Sequence, residues 1–162
     1  MAKKTSGGGT PATLALGKAG VAFTAHAYDH DPSVTSYGME AAQVLGLDPG
    51  RVFKTLFVAV DGRLAVAVVP VSGRLDLKAV AAALGGRKAV MADPAEAERA
   101  SGYVVGGISP LGQKRAHPTV VDASALEHAT VFVSGGKRGL DLELSPADLV
   151  ALTGATMTPI GR

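Results

Sequence analysis

A lysine occupies what the sequence predicts to be the apolar face of a β-strand. The segment 52–58 reads VFKTLFV, and strand alternation places Lys54 on the same face as Val52 and Leu56. An ammonium group on such a face costs free energy unless it meets an anion or water. Two interpretations follow: the side chain extends to solvent at the strand end, or it points into a pocket and binds an anionic or carbonyl oxygen.

The segment 105–110, which reads VGGISP, could present backbone amides to a ligand. Gly106 and Gly107 carry no side chains, so a ligand can approach their N–H groups closely, and such donors stabilise an oxyanion. An ordinary turn is the alternative interpretation. Ser109 precedes a proline, which favours extended backbone, and its surroundings do not match the nucleophile-elbow motif.

A second glycine-rich segment, 133–139, reads VSGGKRG and combines backbone amides with Lys137 and Arg138. It is not a P-loop, because Val131 stands where the first glycine of that motif belongs and Arg138 takes the place of its serine or threonine. Amides and two cations together still suit a phosphate or a nucleotide. A solvated hairpin turn is the alternative interpretation.

Acidic side chains follow directly after this segment. The run 139–144 reads GLDLEL, so alternation places Asp141 and Glu143 on one face of a strand and three leucines on the other. Glu143 is expected to face solvent. Asp141 comes soon after the glycine-rich turn and could instead enter a cleft.

The run 26–31, which reads HAYDHD, gathers two histidines and two aspartates. A metal site needs further convergent ligands, and none is evident, so we expect no metal ion and no other cofactor. Tyr28 stands in the middle of this run, in a chain with only three tyrosines and four phenylalanines. An exposed Tyr28 could stack on a nucleic-acid base, whereas core packing is the usual fate of an aromatic side chain.

The elements that must position these residues alternate along the chain. Capping residues that precede proline mark helix starts at Thr10, Asp93 and Ser145, and Asp61-Gly62 between two apolar runs predicts a β-hairpin. Helices are predicted at 11–19, 37–46, 77–85, 94–101 and 146–153. Strands rich in β-branched residues are predicted at 21–28, 51–60, 63–71, 88–91, 118–122, 130–134 and 139–144. This order indicates an α/β fold of the α+β type, in which helices flank a mixed sheet in one domain.

Composition limits the classes of function. The chain has 162 residues, of which 47% are hydrophobic, so one domain with a real core is expected. It has no cysteine, which excludes disulfides, cysteine zinc sites, iron–sulfur clusters and a cysteine nucleophile of its own. A net charge of +2 is too small to indicate nucleic-acid binding by itself.

The sequence carries no membrane or export signal that we can identify. The longest apolar stretch, 56–71, is interrupted by Asp61 and Arg63 and is too short for a spanning helix. Residues 1–9 are rich in glycine and have no apolar segment behind their lysines, which predicts a flexible tail rather than a signal peptide. We therefore expect a cytoplasmic protein without membrane association, whose domain covers 10–162.

Six segments, in their order and spacing, resemble the YbaK/EbsC family. They are YDHD (28–31), VFKTL (52–56), LDLK (75–78), MADP (91–94), GYVVGGISPLGQK (102–114) and VSGGKRGLD (133–141). The resemblance runs from about Thr10 to Thr153 and is closest to the branch of free-standing Cys-tRNA(Pro) deacylases. The wider family includes the editing domain of bacterial prolyl-tRNA synthetase and free-standing Ala-tRNA(Pro) deacylases.

The resemblance implies a fold and an activity. The family fold is a compact, partly barrel-like mixed sheet flanked by helices, which agrees with the elements predicted above. The implied activity is trans-editing of Cys-tRNA(Pro), with Cys-tRNA(Cys) as a further substrate. Such editing is needed because cysteine and proline are close in size, and a small size difference gives a binding pocket little discrimination. The implied mechanism uses the thiol of the substrate to attack its own ester.

The resemblance also implies which residues act. Lys54 matches the lysine of the family's FKT motif and would bind the terminal adenosine or its phosphate and place the ester. The amides of Gly106 and Gly107 would bind the ester carbonyl oxygen or the substrate backbone. Asp141 would bind the α-ammonium group or the ribose, and Tyr28 would pack on the terminal adenosine. Four further residues fall in the same motifs and are expected to line the pocket: Phe53, Thr55, Ile108 and Ser134.

Expected partners and alternatives follow from the same resemblance. The acceptor end of tRNA(Pro) is the expected nucleic-acid partner. Prolyl-tRNA synthetase is the expected protein partner, because free-standing relatives rely on it for tRNA selectivity. One alternative is an Ala-tRNA(Pro) deacylase or a deacylase of broad specificity, with the same fold and another pocket. A second alternative is a module that binds tRNA or a nucleotide without catalysis.

Overall fold

Helices and strands alternate from residue 9 to residue 162, the range that the computed structural model describes. Except for Gly9, the tail predicted at 1–9 lies outside the described residues. The helices are α1 (Pro11–Ala19), α2 (Tyr37–Leu45), α3 (Leu77–Ala83), α4 (Pro94–Ser101) and α5 (Pro146–Thr153). The strands are β1 (Thr24–Ala27), β2 (Phe53–Val60), β3 (Arg63–Pro70), β4 (Ala89–Met91), β5 (Thr119–Asp122), β6 (Val131–Ser134), β7 (Leu140–Leu144) and β8 (Thr156–Thr158).

The predicted elements are present: α1, α4 and α5 have the predicted bounds, and the others are shorter at one or both ends. Each of the five predicted helices and seven predicted strands has a counterpart in the described range, and only β8 lacks a prediction. The longest of these helices have nine residues. None of the helices within residues 9–162 therefore has the length and hydrophobicity that a bilayer crossing would require.

The strands form two sheets. The larger has the order β4-β2-β3-β5-β8, with β3, β5 and β8 parallel and the other pairs antiparallel, and the smaller has the antiparallel order β1-β7-β6. A parallel bridge between Val52 and Phe132 joins them. Over the described range the strands form no closed barrel. The predicted α+β domain with a mixed sheet and flanking helices is confirmed.

The hairpin between β2 and β3 turns at the predicted Asp61-Gly62. Both residues have positive φ, 50° and 84°, as a two-residue hairpin turn with this sequence requires. The Asp61 carboxylate accepts hydrogen bonds from the amides of Arg87 and Lys88, each at 3.0 Å. The turn therefore also fixes the segment that leads into β4.

Apolar side chains are buried on both faces of the larger sheet. On one face, Phe57 and Val68 pack in a cluster that includes Leu142 of the smaller sheet. On the other face, Val58 packs in a cluster that includes Val80 of α3. Two buried faces explain why the central strand β3 reads as a nearly continuous apolar run.

Asp122 at the end of β5 holds the C-terminal segment in place. One of its carboxylate oxygens accepts the amides of Ile160 and Gly161, at 2.8 and 2.9 Å, and the other accepts from Ser124. Burial opposes ionisation of this carboxyl, but the hydrogen bonds that it accepts lower its pKa below the ordinary value. The ionised side chain is thus part of the folded state at neutral pH.

Replacing Asp122 tests this anchor. We expect Asp122→Ala to lower the free energy of unfolding by about 2–4 kcal/mol, because two backbone amides lose a charged acceptor. Asp76→Ala is the matched control, since Asp76 only caps α3 through the amide of Ala79, and it should cost about 1 kcal/mol. Urea unfolding of both variants measures the difference, and equal losses would contradict the role given to Asp122.

Candidate active site

A cavity of about 590 Å³ opens where the start of β2 meets the smaller sheet. This volume is typical of sites for small molecules, which span ~300–1,000 Å³. Its lining comes from Tyr28, the turn and helix start at 35–39, the strand segment 52–57, Val71, the segment 91–97 around the start of α4, the loop residues Val105, Gly106 and Ile108, and the pair Ser134 and Asp141. The cavity is therefore built from distant parts of the sequence.

Eight of the nine residues predicted for the site line this cavity. They are Tyr28, Phe53, Lys54, Thr55, Gly106, Ile108, Ser134 and Asp141. Gly107, the ninth, is not part of the lining, and its amide donates to the carbonyl of Val104 at 2.8 Å. A Cβ at Gly107 would lie 2.7 Å from the Cα of Lys137. Gly107 thus allows two backbones to pack closely, and its amide is already engaged within the protein.

Lys54 is partly buried in the cavity wall, near the start of β2. Its ammonium group has no carboxylate partner within 4.0 Å, because the ion pairs formed among residues 9–162 are His26–Glu143, His30–Glu40 and Arg51–Glu143. The lysine thus borders a pocket, and its binding of an anionic or carbonyl oxygen stays a prediction. A cation without a protein partner can serve an anionic or carbonyl oxygen of a ligand.

Asp141 is a buried carboxyl in the middle of the smaller sheet. It stands opposite His26 of β1 and Ser134 of β6, and its residue is only 6% exposed. Burial raises the pKa of Asp141 to about 7, because water no longer stabilises the charged form. Near neutral pH this group can therefore take or lose a proton, and a cation in the cavity would favour the carboxylate.

Glu143 lies on the same face of β7 and was expected to face solvent. It is instead partly buried and bonded to neighbouring side chains. Its carboxylate accepts from Thr130 at 2.6 Å and contacts His26 at 2.9 Å, with Arg51 at 3.6 Å. Burial opposes ionisation, but these hydrogen bonds and charges lower the pKa of Glu143 below its ordinary value. Glu143 lies outside the cavity lining, so this network supports the sheet rather than the site.

Two neutral hydroxyl groups also belong to the cavity wall. The Thr55 hydroxyl is buried and has no hydrogen-bond partner among the described residues, so it is available to a ligand. Burial, followed by the nearby carboxyls of Asp141 and Glu40, raises the pKa of the Tyr28 hydroxyl above its ordinary value. Tyr28 therefore stays protonated and offers a donor beside Asp141.

The first turn of α2 covers one side of the cavity. Glu40 of this helix is buried, and its carboxylate accepts from His30 Nδ1 at 2.6 Å and from the amide of Asp31 at 2.9 Å. These contacts tie α2 to the segment that carries Tyr28. Residues 36–39 line the cavity, so the positive end of the helix dipole borders it. The Ser36 side chain forms no cap hydrogen bond to the first amides of the helix.

Tyr37 lines the cavity, and Arg138, which is outside the lining, packs against it; the sequence assigned neither residue to the site. The guanidinium carbon of Arg138 lies 4.9 Å from the centroid of the Tyr37 ring, and its Nε donates to the carbonyl of Val105 at 2.9 Å. Gly106, with φ of 90°, lies beside both, since a Cβ there would be 2.8 Å from the ring. The sequence held a signal for each: Tyr37 is one of few aromatic residues and stands at a helix start, and Arg138 is a cation in a turn suited to binding a phosphate.

The described residues contain no cluster of three or more histidine, aspartate or glutamate side chains placed to hold a metal ion. The two histidines of the run 26–31 instead pair with single carboxylates, His26 with Glu143 and His30 with Glu40. The donors at the cavity are an ammonium, hydroxyls, backbone amides and one carboxyl. This donor set suits a polar organic ligand that carries both an oxyanion and a cationic group.

The chain is similar to a known domain family and to a named relative. A family model described as an aminoacyl-tRNA editing domain matches residues 31–152. EbsC of Enterococcus faecalis, named as a candidate Cys-tRNA(Pro)/Cys-tRNA(Cys) deacylase, is 40% identical over 121 residues, which are 74% of this chain and 73% of that protein.

Two solved structures are similar over nearly the whole chain. The crystal structure of a candidate trans-editing enzyme for prolyl-tRNA synthetase has a TM-score of 0.80 and 26% identity, and covers 94% of this chain and 95% of its own. The crystal structure of a hypothetical protein has a TM-score of 0.85 and 27% identity, and covers 94% and 100%.

The buried carboxyl of Asp141 makes a prediction about stability and pH. Its pKa is about 7 in the folded protein and about 3.8 when unfolded, so folding opposes ionisation increasingly as pH rises between these values. We expect Asp141→Asn to match the wild type near pH 4 and to be more stable by roughly 2–4 kcal/mol near pH 8.

Glu143→Gln is the control with the opposite sign. The pKa of Glu143 is lowered, so its contribution is present at neutral pH and lost on acidification. Denaturant unfolding at several pH values measures both variants. A difference between Asp141→Asn and wild type that does not change with pH would contradict the raised pKa.

Proposed function

Because the chain belongs to the aminoacyl-tRNA editing domain family, we propose that it is an aminoacyl-tRNA deacylase that acts in trans on Cys-tRNA(Pro), with Cys-tRNA(Cys) as a further substrate. The observation that carries this proposal is the cavity itself, which combines the buried Asp141 with Lys54, a lysine that forms no ion pair within residues 9–162. An aminoacyl ester presents a carbonyl oxygen and an α-ammonium group, and these two residues complement them.

The nucleophile in the proposed reaction is the thiol of the substrate. The chain has no cysteine, and no histidine among the described residues lines the cavity to activate a hydroxyl. A cysteinyl thiol has a pKa of ~8.5, so a few per cent is thiolate near neutral pH. Attack on its own carbonyl is intramolecular, which removes the entropic cost of bringing in a second reactant.

The proposed step conserves atoms and charge. A carbon–sulfur bond forms between the thiolate and the ester carbonyl, and the bond from that carbon to the ribose oxygen breaks. The ribose oxygen takes up the equivalent of the proton that the thiol released. Water then opens the resulting thiolactone to free cysteine.

The protein supplies placement and charge in this scheme. Lys54 and the amide of Gly106 bind the carbonyl oxygen as negative charge develops on it. The amide of Gly107 donates to Val104, so Gly106 takes the role predicted for the pair. Asp141 binds the α-ammonium group, and Tyr28 packs on the terminal adenosine. The remaining predicted residues, Phe53, Thr55, Ile108 and Ser134, shape the pocket around the acyl group.

Recognition of the whole tRNA involves a partner in this proposal. A net charge of +2 offers few contacts to phosphates, and affinity for a nucleic acid depends strongly on such contacts. We propose that prolyl-tRNA synthetase presents the mischarged acceptor end. The similar structure described as a trans-editing enzyme for prolyl-tRNA synthetase supports this choice of partner.

Lys54→Ala tests the cavity as the site of reaction. We expect kcat/KM for Cys-tRNA(Pro) to fall by roughly 100-fold or more, because the developing oxyanion loses its cation. Lys78→Ala is the matched control, since Lys78 is an exposed lysine of α3 that is absent from the cavity lining. Circular dichroism confirms folding. Full activity of Lys54→Ala would refute the assignment.

A panel of acyl groups tests the nucleophile. Cysteinyl-, seryl-, alanyl- and S-methylcysteinyl-tRNA(Pro) are compared by the rate of ester cleavage, with and without prolyl-tRNA synthetase. We expect the cysteinyl ester to react roughly 100-fold faster than the others, because only it can supply a thiolate. The seryl ester is the sharpest control, since it nearly keeps the shape and lacks the thiol, while the S-methylcysteinyl ester keeps the sulfur but blocks it with a methyl group.

Each other outcome of the panel identifies an alternative. Equal rates on all four esters would indicate a water nucleophile and broad specificity. A preference for the alanyl ester would indicate an Ala-tRNA(Pro) deacylase. Binding of tRNA without cleavage of any ester would indicate a module that has no catalytic role.

A further inference from the structure

Arg138 is held at the edge of the cavity by two contacts. Its Nε–H donates to the carbonyl of Val105 at 2.9 Å, and its guanidinium carbon lies 4.9 Å from the centroid of the Tyr37 ring. Tyr37 and Val105 both line the cavity. A side chain that is usually flexible is therefore fixed beside the cavity before any ligand binds.

The positive charge on Arg138 has no counterpart among the described residues. The ion pairs formed there within 4.0 Å involve His26, His30 and Arg51, and the terminal amino groups of Arg138 donate no hydrogen bond to residues 9–162. The residue is exposed to solvent. An arginine that is anchored through Nε and keeps its terminal amino groups unused suits bidentate binding of a phosphate.

We propose that Arg138 binds the phosphate on the 5′ oxygen of the nucleoside that carries the aminoacyl ester. The identity of that nucleoside rests on the proposed function. The phosphate site itself rests on the contacts of Arg138 with Tyr37 and Val105. The turn 133–139, which the sequence already associated with a phosphate, thereby acquires a specific residue and a specific ligand group.

The charges of the site favour a phosphate at the edge rather than inside. A cavity of about 590 Å³ can hold an acyl group with its nucleoside. A phosphate deep within it would lie near Asp141, whose carboxylate would repel it, and would compete with the ester carbonyl for Lys54, the cation of the lining. At Arg138 the phosphate keeps contact with water and gains a cation.

Gly106 connects the phosphate site with the reacting ester. A Cβ at this position would lie 2.8 Å from the Tyr37 ring and 2.9 Å from Nε of Arg138. Because glycine is present, the ring and the guanidinium group meet directly beside the amide that is proposed to bind the ester carbonyl. A phosphate on Arg138 would thus set the position of the sugar that presents the ester.

Binding of adenosine and of adenosine 5′-monophosphate tests the site without turnover. NMR titration should show that the wild type binds the monophosphate roughly tenfold more tightly, and that Arg138→Ala binds both compounds equally. Arg138→Lys should recover only a small part of the preference, because lysine lacks the planar fork. Lys137→Ala removes a cation from the same turn and should keep the preference.

Three binding results would overturn the inference. The first is equal affinity of the wild type for the two compounds. The second is a preference for the monophosphate that survives Arg138→Ala. The third is that Arg138→Ala loses as much affinity for adenosine as for the monophosphate, because the residue would then shape the cavity instead of binding the phosphate.

Cysteinyl esters of the same two compounds relate the site to catalysis. The wild type should cleave the 5′-phosphorylated ester with roughly tenfold higher kcat/KM, and Arg138→Ala should remove that advantage. If the wild type cleaves neither these esters nor Cys-tRNA(Pro) with the synthetase present, but still binds the monophosphate preferentially, the proposed function fails and the phosphate site stands. If it cleaves both at the same rate, the phosphate site fails and the deacylase proposal stands.

Discussion

The cavity depends on close packing of the loop 104–107 against the turn 135–139. A Cβ at Gly107 would lie 2.7 Å from the Cα of Lys137, so these two backbones approach to a distance that excludes any side chain. The turn connects β6 to β7 and therefore precedes Asp141 by only a few residues. One contact thus sets the position of the Gly106 amide relative to the buried carboxyl and to Arg138.

The parts of the site that a local pattern encodes could be predicted from the sequence. Period two within a strand is a local property. It indicated that Lys54 lies on an apolar face, and that Asp141 shares a face with Glu143, opposite the leucines. The stacking of Arg138 on Tyr37 arises from tertiary packing between a turn and α2, and no spacing encodes it. A glycine at position 107 indicated that another group approaches the backbone closely. It did not indicate which group, because packing against a second backbone and access for a ligand both require glycine.

In the fold, too, local patterns predicted some elements, whereas tertiary packing determines others. Strong signals, such as Asp61-Gly62 between apolar runs or a capping residue before proline, predicted the hairpin and the helices. β8 has only three residues, too few for a periodic pattern, and its place is set by pairing with β5 and by the bonds that Asp122 makes to Ile160 and Gly161. Such elements are specified by their neighbours, so their own residues carry little information.

The charge balance of the cavity has a consequence for substrate choice. Asp141 is buried without a cation within 4.0 Å among the described residues, so its ionisation is opposed by the protein alone. In the proposed complex the α-ammonium group of the substrate supplies the missing charge. An ester whose amino group is acylated, as in a peptidyl-tRNA, brings no such charge, so Asp141 would stay protonated and the complex would lack this ion pair. Asp141, which costs stability, would thereby make the site prefer a free aminoacyl ester to a peptidyl ester. This preference would not depend on the size of the cavity mouth.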